Sequence, residues 1–582
     1  MSNSVMPETW AAIDMLGRQL PTALTVGEPR KDRYVGLFYW IWHCHPYHSG
    51  SLTFAEYTLG RSNEETMRKS PEARNDYHHP AWDGCEYAHW NESVYGYYRS
   101  YDKWVIRKHA EMLADAGVDV IIFDCTNGQN TFDPGWEAVA EVFHQARLDG
   151  VNCPGIAFLL PLHWPYFDHN AEDCRQDLRH LYEKLYKPNR YPELYFHWKG
   201  KPLVMGYPDG LDKNDPLDAE ILDYFTFRPC EPTYTKGQQR PDQWGWLSTT
   251  PQPVYRNADG TPEQMTVGVA QNHNERYGLT AMSGPDVFGR TYTTQGFDTS
   301  PNAKLKGANF QEQWDYALKV DPEFIFVTGW NEGLACRTEE WNHVTNAFWD
   351  QFNDINSRDC EPSKGDLKDA YYYQLCANIR RFKGVPMEAP AAAAQKLDLS
   401  SSRESWHQLA RGYAHYPHNT GHRNQEGYGR QYVNNTGRND IVSAAMSHDE
   451  TYIYASVTCS DRISPKTDNS WMRLYLRTRQ ESASWEGFHF VVNRLNPGEK
   501  AWLEKSQGGW QWHVVEGVDY ALDNDRLTIR IPRAPLGLDT PDFKVWFKWS
   551  DNQGDGDIMS VYTDGDAAPG GRFTFYYHGT DR

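Results

Sequence analysis

Between residues 34 and 384, short apolar runs alternate with amphipathic stretches. The runs at 34–41, 118–123, 155–160, 202–207, 224–228, 266–271 and 324–328 have the length and the β-branched and aromatic content of buried strands. Helical spacing of apolar residues predicts helices over 104–116, 136–148, 178–186, 311–319 and 371–382, the first stopped by Gly117. This alternation, with polar residues at most strand ends, predicts an α/β fold, a (β/α)8 TIM-type barrel over 1–384. Seven strands are legible and the eighth is not; a doubly wound sheet fits the same alternation. A long insertion, 46–98, rich in His, Tyr, Asn and Glu and with little periodicity, interrupts the pattern after the first strand.

The rhythm changes after a linker at 385–402, which carries prolines and a run of alanines. Short strands at 440–446, 451–458, 471–478, 488–492, 510–515, 526–531 and 544–549, separated by turns such as Asn496-Pro497-Gly498, predict an all-β sandwich over 403–582.

Composition narrows the partners. The formal net charge of −20 argues against nucleic acid and anionic membrane, both of which need a basic footprint. No apolar run is long enough to span a bilayer. The first residues mix Glu8, Asp14 and Arg18 among apolar positions, unlike a signal peptide, so the expectation is a cytoplasmic protein, or a secreted one whose leader has been removed. The ten cysteines lack paired spacing and read as free thiols. Aromatic residues are 14% of the chain, with 23 Trp, which suits sugar stacking as well as core. Oligomeric state is not legible.

Candidate chemistry gathers at the strand ends. The run 324–328 closes on Gly329-Trp330-Asn331-Glu332-Gly333. Polar residues at the C-terminal ends of parallel strands in a barrel read as functional. Glu332 would transfer protons, Asn331 would hold a hydroxyl and Trp330 would stack on a pyranose; a strand-ending helix cap is the alternative. Glycoside hydrolysis takes two carboxyl groups. With Glu332 as general acid, Asp124, ending the second strand near Asn127, is the first choice of partner; an Asp capping the next loop explains it equally. Glu92 in the insertion and Glu231 are further candidates, and each is also readable as a solvated loop residue, whereas Glu312 opens a helix and reads as structural. Trp42, His43, His163, Trp164 and Gln271 read as pocket wall. His43 and His45 share one strand face and would also suit a metal pair. Phosphate-binding, dinucleotide and serine-nucleophile motifs are absent.

Two segments resemble known sugar hydrolases. Gly96-Tyr97-Tyr98, Val105-Ile106-Arg107 and Ala116-Gly117-Val118-Asp119, with Trp330-Asn331-Glu332, are similar to a run in glycoside hydrolase family 99-like proteins and their WbsX-type relatives. The resemblance covers the first two-thirds of the chain and implies a barrel glycosidase acting on a carbohydrate with Glu332 catalytic and no required cofactor. The family's second catalytic Glu, three residues on, is Ala335 here, and the Trp after the first Glu is Gly333. The second carboxylate must therefore come from elsewhere. The stretch from Tyr452 to Val457, then Asp461 and 468–476, resembles carbohydrate-binding module family 9, implying a sugar-binding or scaffold module. Trp502, Trp510 and Trp512 read as a stacking platform or as core. Asp551, Asp555 and Asp557 offer ligands for a structural calcium, and a hairpin turn explains them too. A metal-assisted sugar-processing barrel and a non-catalytic glycan-binding protein remain the alternatives to a hydrolase.

Overall fold

In a computed structural model that describes residues 4–43, 58–162, 170–230, 233–395, 397–479 and 482–581, the seven apolar runs are strands of one sheet. They are β1 (Tyr34–Tyr39), β2 (Val120–Asp124), β3 (Gly155–Leu159), β4 (Lys201–Met205), β5 (Thr226–Phe227), β6 (Pro262–Gly268) and β7 (Phe324–Thr328). All neighbouring pairs among them are parallel, in the order β5-β4-β3-β2-β1-β7-β6. Burial on both faces explains why they read as continuous apolar runs rather than alternating ones.

The two edges of this sheet approach each other. Glu263 on β6 accepts from Trp198 and Trp244 at 2.9 Å each and pairs with Arg228 at 2.7 Å, just beyond β5. The expected eighth strand has no ladder among the described residues. Trp244 makes one parallel bridge to Cys230, and the Gln264 amide brackets the Gly245 backbone, accepting its N–H at 3.1 Å and donating to its carbonyl at 2.9 Å. A side chain thus does there what backbone pairing does elsewhere. The fold is mixed α/β with a nearly closed parallel sheet, short of the full (β/α)8 pattern.

The helix α1 (Lys103–Ala116) begins where Asp102 accepts the Trp104 and Val105 N–H groups and ends at Gly117, whose φ of +82° a residue with a side chain rarely adopts. The helices α2 (Asp133–Leu148), α3 (Asn170–Leu181), α4 (Pro216–Tyr224), α5 (Ala308–Val320) and α6 (Ala370–Lys383) follow. After β7 the chain forms a hairpin, Leu334–Trp341 with Val344–Phe348, instead of a helix. The insertion strand Tyr87–His89 pairs with this hairpin at Leu334↔His89, so the insertion is anchored directly after Glu332.

The C-terminal residues form a sheet of twelve strands, eleven in one path and one, Asp566–Ala568, paired to its side. The long strand Gln511–Asp523 pairs with Ala501–Gly508 through its first half and with Arg526–Pro532 through its second. The sheet folds back on itself: Tyr413 at one end packs on Phe547 and Phe575, and His448 bonds the Tyr577 hydroxyl at 2.7 Å. Within the expected linker, Ala392–Ala393 joins this sheet beside Gly579 and Thr580. One hydrophobic cluster runs from the parallel sheet into the C-terminal strands, with Trp10 against Tyr416, Phe573 and Phe575. No described helix is long and apolar enough to cross a membrane. Cys85, Cys153, Cys174, Cys336, Cys360, Cys376 and Cys459 are free thiols.

Candidate active site

The turn after β7 places Glu332 at the C-terminal end of the sheet, 1% exposed. Arg358 grips its carboxylate with two bonds, Nε to Oε2 at 3.0 Å and Nη2 to Oε1 at 3.1 Å. The same Nη2 donates to Asp350 Oδ1 at 3.0 Å, which also accepts from the Asn272 amide at 2.9 Å. The Tyr234 hydroxyl bonds Asn272, and the Arg358 guanidinium lies over the Trp246 ring. Asp359 accepts the Glu332 N–H at 2.6 Å and the Trp90 indole N–H at 3.0 Å. One guanidinium therefore sits among Glu332, Asp350 and Asp359, with Asp124 near enough to act on Glu332 through its charge.

Charge balance sets the proton affinities. Burial, helped by Asp350, pushes the Asp124 carboxyl up to about 7, with only the Thr126 bonds and the charge of Arg358 opposing it. Burial raises Asp359 to about 6 against the pull of Arg290. Desolvation presses Glu332 toward its neutral form, as do Asp350, Asp359 and Asp124, while Arg358 works against them. Both Glu332 oxygens accept from a group that keeps its charge, so the clamped geometry is that of the carboxylate. Arg358, although burial works against its charge, is held above its ordinary range by Glu332 and Asp350. Asp124, by contrast, has no such cation clamp among the described residues; its carboxylate accepts the Thr126 N–H at 3.2 Å. Asp350 is the solvent-facing member, its side chain 30% exposed.

A second group of polar residues lies on the other side of the turn. The Tyr39 hydroxyl bonds His109 Nδ1 at 2.7 Å, and His109 Nε2 bonds Glu361 at 2.8 Å. Glu361 also accepts from Ser93 and Tyr98. Glu361 and Asp359 line a small cavity of about 30 Å³ together with His43, His89, Glu92 and Ser363.

The residues singled out from the sequence separate into three groups. Glu332, Asp124 and Trp42 come together: the Trp42 indole donates to the Asp124 carbonyl at 2.9 Å and stacks between Trp40 and Phe132 at 4.3 and 5.1 Å. His43, Glu92 and Asn331 face the cavity. The rest take up structural contacts. Trp330 is wholly buried, edge-on to His109 and Tyr372, so it has no face for stacking a sugar. Asn331, besides facing the cavity, accepts the Trp40 N–H at 2.9 Å and donates to the Trp40 carbonyl and the Tyr98 hydroxyl at 3.1 Å each, so it ties β7 to the end of β1. Gln271 and Asn309 exchange two amide bonds at 3.1 Å, away from the cavity. Asn127 is exposed, and Glu92 pairs with Lys364 at 2.7 Å. His45, His163, Trp164 and Glu231 lie outside the described residues. Among those described, no group of three or more His, Cys, Asp and Glu residues could hold a metal ion. The calcium carboxylates point to different partners: Asp551 to Arg438 and the Met472 N–H, Asp555 to Arg473, and Asp557 to the Met559 N–H. They form no common cage because arginines and a helix start already use them.

Arg358, Asp350 and His109 were not singled out as site residues. None of the three ends one of the seven apolar runs, where candidate chemistry was sought.

No protein-family model matches the chain. No curated protein matches it either. Among solved structures it is similar to the GH99 endo-alpha-mannosidase of Bacteroides thetaiotaomicron, at 12% identity and a TM-score of 0.34, over 60% of this chain and 98% of that one. The same enzyme in complex with bis-tris propane matches at a TM-score of 0.33 and 12% identity, over 60% of this chain and 97% of that one. A chain described as a glycoside hydrolase is similar over 91% of this chain and 99% of its own, at 9% identity and a TM-score of 0.26.

Proposed function

We propose that the chain is a glycoside hydrolase using Glu332 and Asp124 as its pair of carboxyl groups, with a carbohydrate as substrate and no cofactor. The observation that carries this reading is the placement of two buried carboxyl groups at the ends of nearby parallel strands, one clamped by Arg358 and the other without such a clamp among the described residues. Asp124, pushed up to about 7, can deliver a proton to a leaving oxygen, while Glu332, clamped by Arg358, stays available as the anion. Such a pair divides the acid and base roles that glycosidic cleavage requires. This exchanges the roles expected from the sequence, where Glu332 was the acid. The resemblance of the Trp330-Asn331-Glu332 strand end to family 99-like hydrolases supports the same chemistry. The C-terminal strands fit a module that completes the folded body, as the common hydrophobic cluster suggests, rather than a freely tethered one.

The test is product release from a panel of α- and β-linked oligosaccharides by the wild type, Glu332→Gln and Asp124→Asn. Cleavage by wild type that falls by at least about 10²-fold in both variants is the expected outcome, in keeping with the contribution of positioned acids and bases. Turnover that survives in either variant would remove that residue from the pair. Binding without cleavage by the wild type would favour a glycan-binding protein.

A further inference from the structure

The cavity beside Glu361 has two buried polar residues whose side chains find no hydrogen-bond partner among the described residues. His43 and Ser363 are each 3% exposed, and neither the two His43 ring nitrogens nor the Ser363 Oγ has a hydrogen-bond partner among the described residues. Leaving a buried donor or acceptor unpaired costs about 1–3 kcal/mol, so such groups point to a ligand or water. Burial, with His89 and Arg99 nearby, pushes the His43 imidazole well below its ordinary value, which keeps it neutral with one nitrogen donating and one accepting. A hydroxyl group likewise donates and accepts. The lining carboxylates Glu92, Asp359 and Glu361 disfavour an anion. The volume of about 30 Å³ admits a group of one carbon and one oxygen, whereas a pyranose ring does not fit.

The back of this cavity is reached from the C-terminal part of the chain. The hairpin of Arg423–Glu426 and Gln431–Asn434 is rooted on the segment that precedes α1. Arg423 pairs with Asp102 at 2.7 Å and donates to the Tyr95 carbonyl at 2.8 Å, and the Tyr432 hydroxyl accepts the Tyr97 N–H at 2.7 Å. At the hairpin tip the Tyr428 N–H donates to the Tyr97 carbonyl at 2.8 Å. The Tyr428 ring meets His89 at 5.1 Å and His43 at 6.2 Å, under the Arg99 guanidinium at 3.9 Å. The tip comes so close that a Cβ on Gly60 would lie 2.7 Å from the Gly429 Cα.

We propose that this cavity is a recognition pocket for the hydroxymethyl arm of a hexose, read by His43 and Ser363, with Tyr428 as the positioning residue that holds His43 and His89 from the C-terminal hairpin. The proposal deepens the glycosidase reading by naming the part of the sugar that is recognised, and it makes the C-terminal strands a contributor to substrate choice.

The experiment titrates the full chain, labelled with ¹⁵N-histidine, with the methyl glycosides of glucose, mannose and galactose and with their 6-deoxy counterparts. The His43 imidazole signal is identified by its loss in His43→Phe. At least one hexoside should move that signal saturably, with its 6-deoxy counterpart binding about tenfold or more weakly. Ser363→Ala, a change of one oxygen, should weaken the same hexoside about tenfold, read by calorimetry if His43→Phe does not fold. Tyr428→Ala should weaken it similarly while Tyr428→Phe restores it, at comparable melting temperatures. A His43 signal unmoved by every hexoside, moved equally by the 6-deoxy sugars, or moved instead by methylammonium would overturn the proposal. Because binding is read without turnover, a hexoside that binds here in a protein that cleaves nothing would sink the hydrolase reading and leave the pocket standing.

Discussion

Asp124 shows how one side chain couples burial to both chemistry and stability. Its carboxyl is pushed from 3.8 up to about 7, so the folded state resists its ionisation. The cost is absent below about pH 4, grows between about pH 4 and 7, and is fully present above, so this group makes the protein less stable as pH rises through that window. Asp124→Asn should therefore raise the melting temperature more at pH 8 than at pH 5, measured by thermal unfolding at both. If Asp124 is the proton donor, wild-type kcat should fall as pH rises through about 7, and the weak residual activity of Asp124→Asn should lack that limb. An unchanged alkaline limb in the variant would assign the titration to another group. Glu332 differs because a cation saturates both of its oxygens.

Helix α1 is the element on which the site and the C-terminal hairpin meet. Asp102 has two tasks: one oxygen caps the Trp104 and Val105 N–H groups, and the other holds the buried Arg423 at 2.7 Å. Asp102→Ala removes a cap worth about 1 kcal/mol and strands a buried guanidinium, so a loss of about 3–5 kcal/mol is expected in denaturant unfolding. Asp102→Asn should recover the cap and leave most of the loss. An Asp102→Asn variant as stable as the wild type would mean that the ion pair contributes little. Further along the same helix, His109 links Tyr39 on β1 to Glu361, so α1 also fixes the cavity floor.

At the scale of the molecule, the C-terminal strands are welded to the parallel sheet by buried polar bonds as well as by the common apolar cluster. Arg572 reaches Asp369, at the start of α6, at 2.6 Å, both almost wholly buried, and its backbone N–H bonds the Tyr373 hydroxyl. Arg572→Met should cost about 3–5 kcal/mol because it leaves Asp369 unpaired in the interior, while Asp369→Leu combined with Arg572→Met should recover part of that loss. A single cooperative transition in urea is the expected form of unfolding. Separate transitions for the two regions would show that the weld is weak.

The seven parallel strands, most helices and the switch to an all-β C-terminal pattern were legible in the sequence because each rests on local periodicity, which burial on two faces or one imposes directly on residue type. The strand-end placement of Glu332 and Asp124 was legible for a related reason, since each follows or ends an apolar run. The segment around Trp244 was illegible because side chains hold it where a ladder would have left an apolar signature. The roles of the strand-end residues were also out of reach: Trp330 and Asn331 have the chemistry of sugar binding, yet packing buried one and the β1 backbone claimed the other. Arg358, Asp350, His109 and Tyr428 meet the site from distant points of the chain, and their charges and contacts exist only once those points are brought together. The sequence by itself determined the elements and where carboxylates end them, because those follow from neighbours along the chain. Which carboxylate a cation clamps, and which parts of the chain enclose the cavity, only the tertiary structure decided, because desolvation and ion pairing depend on neighbours in space.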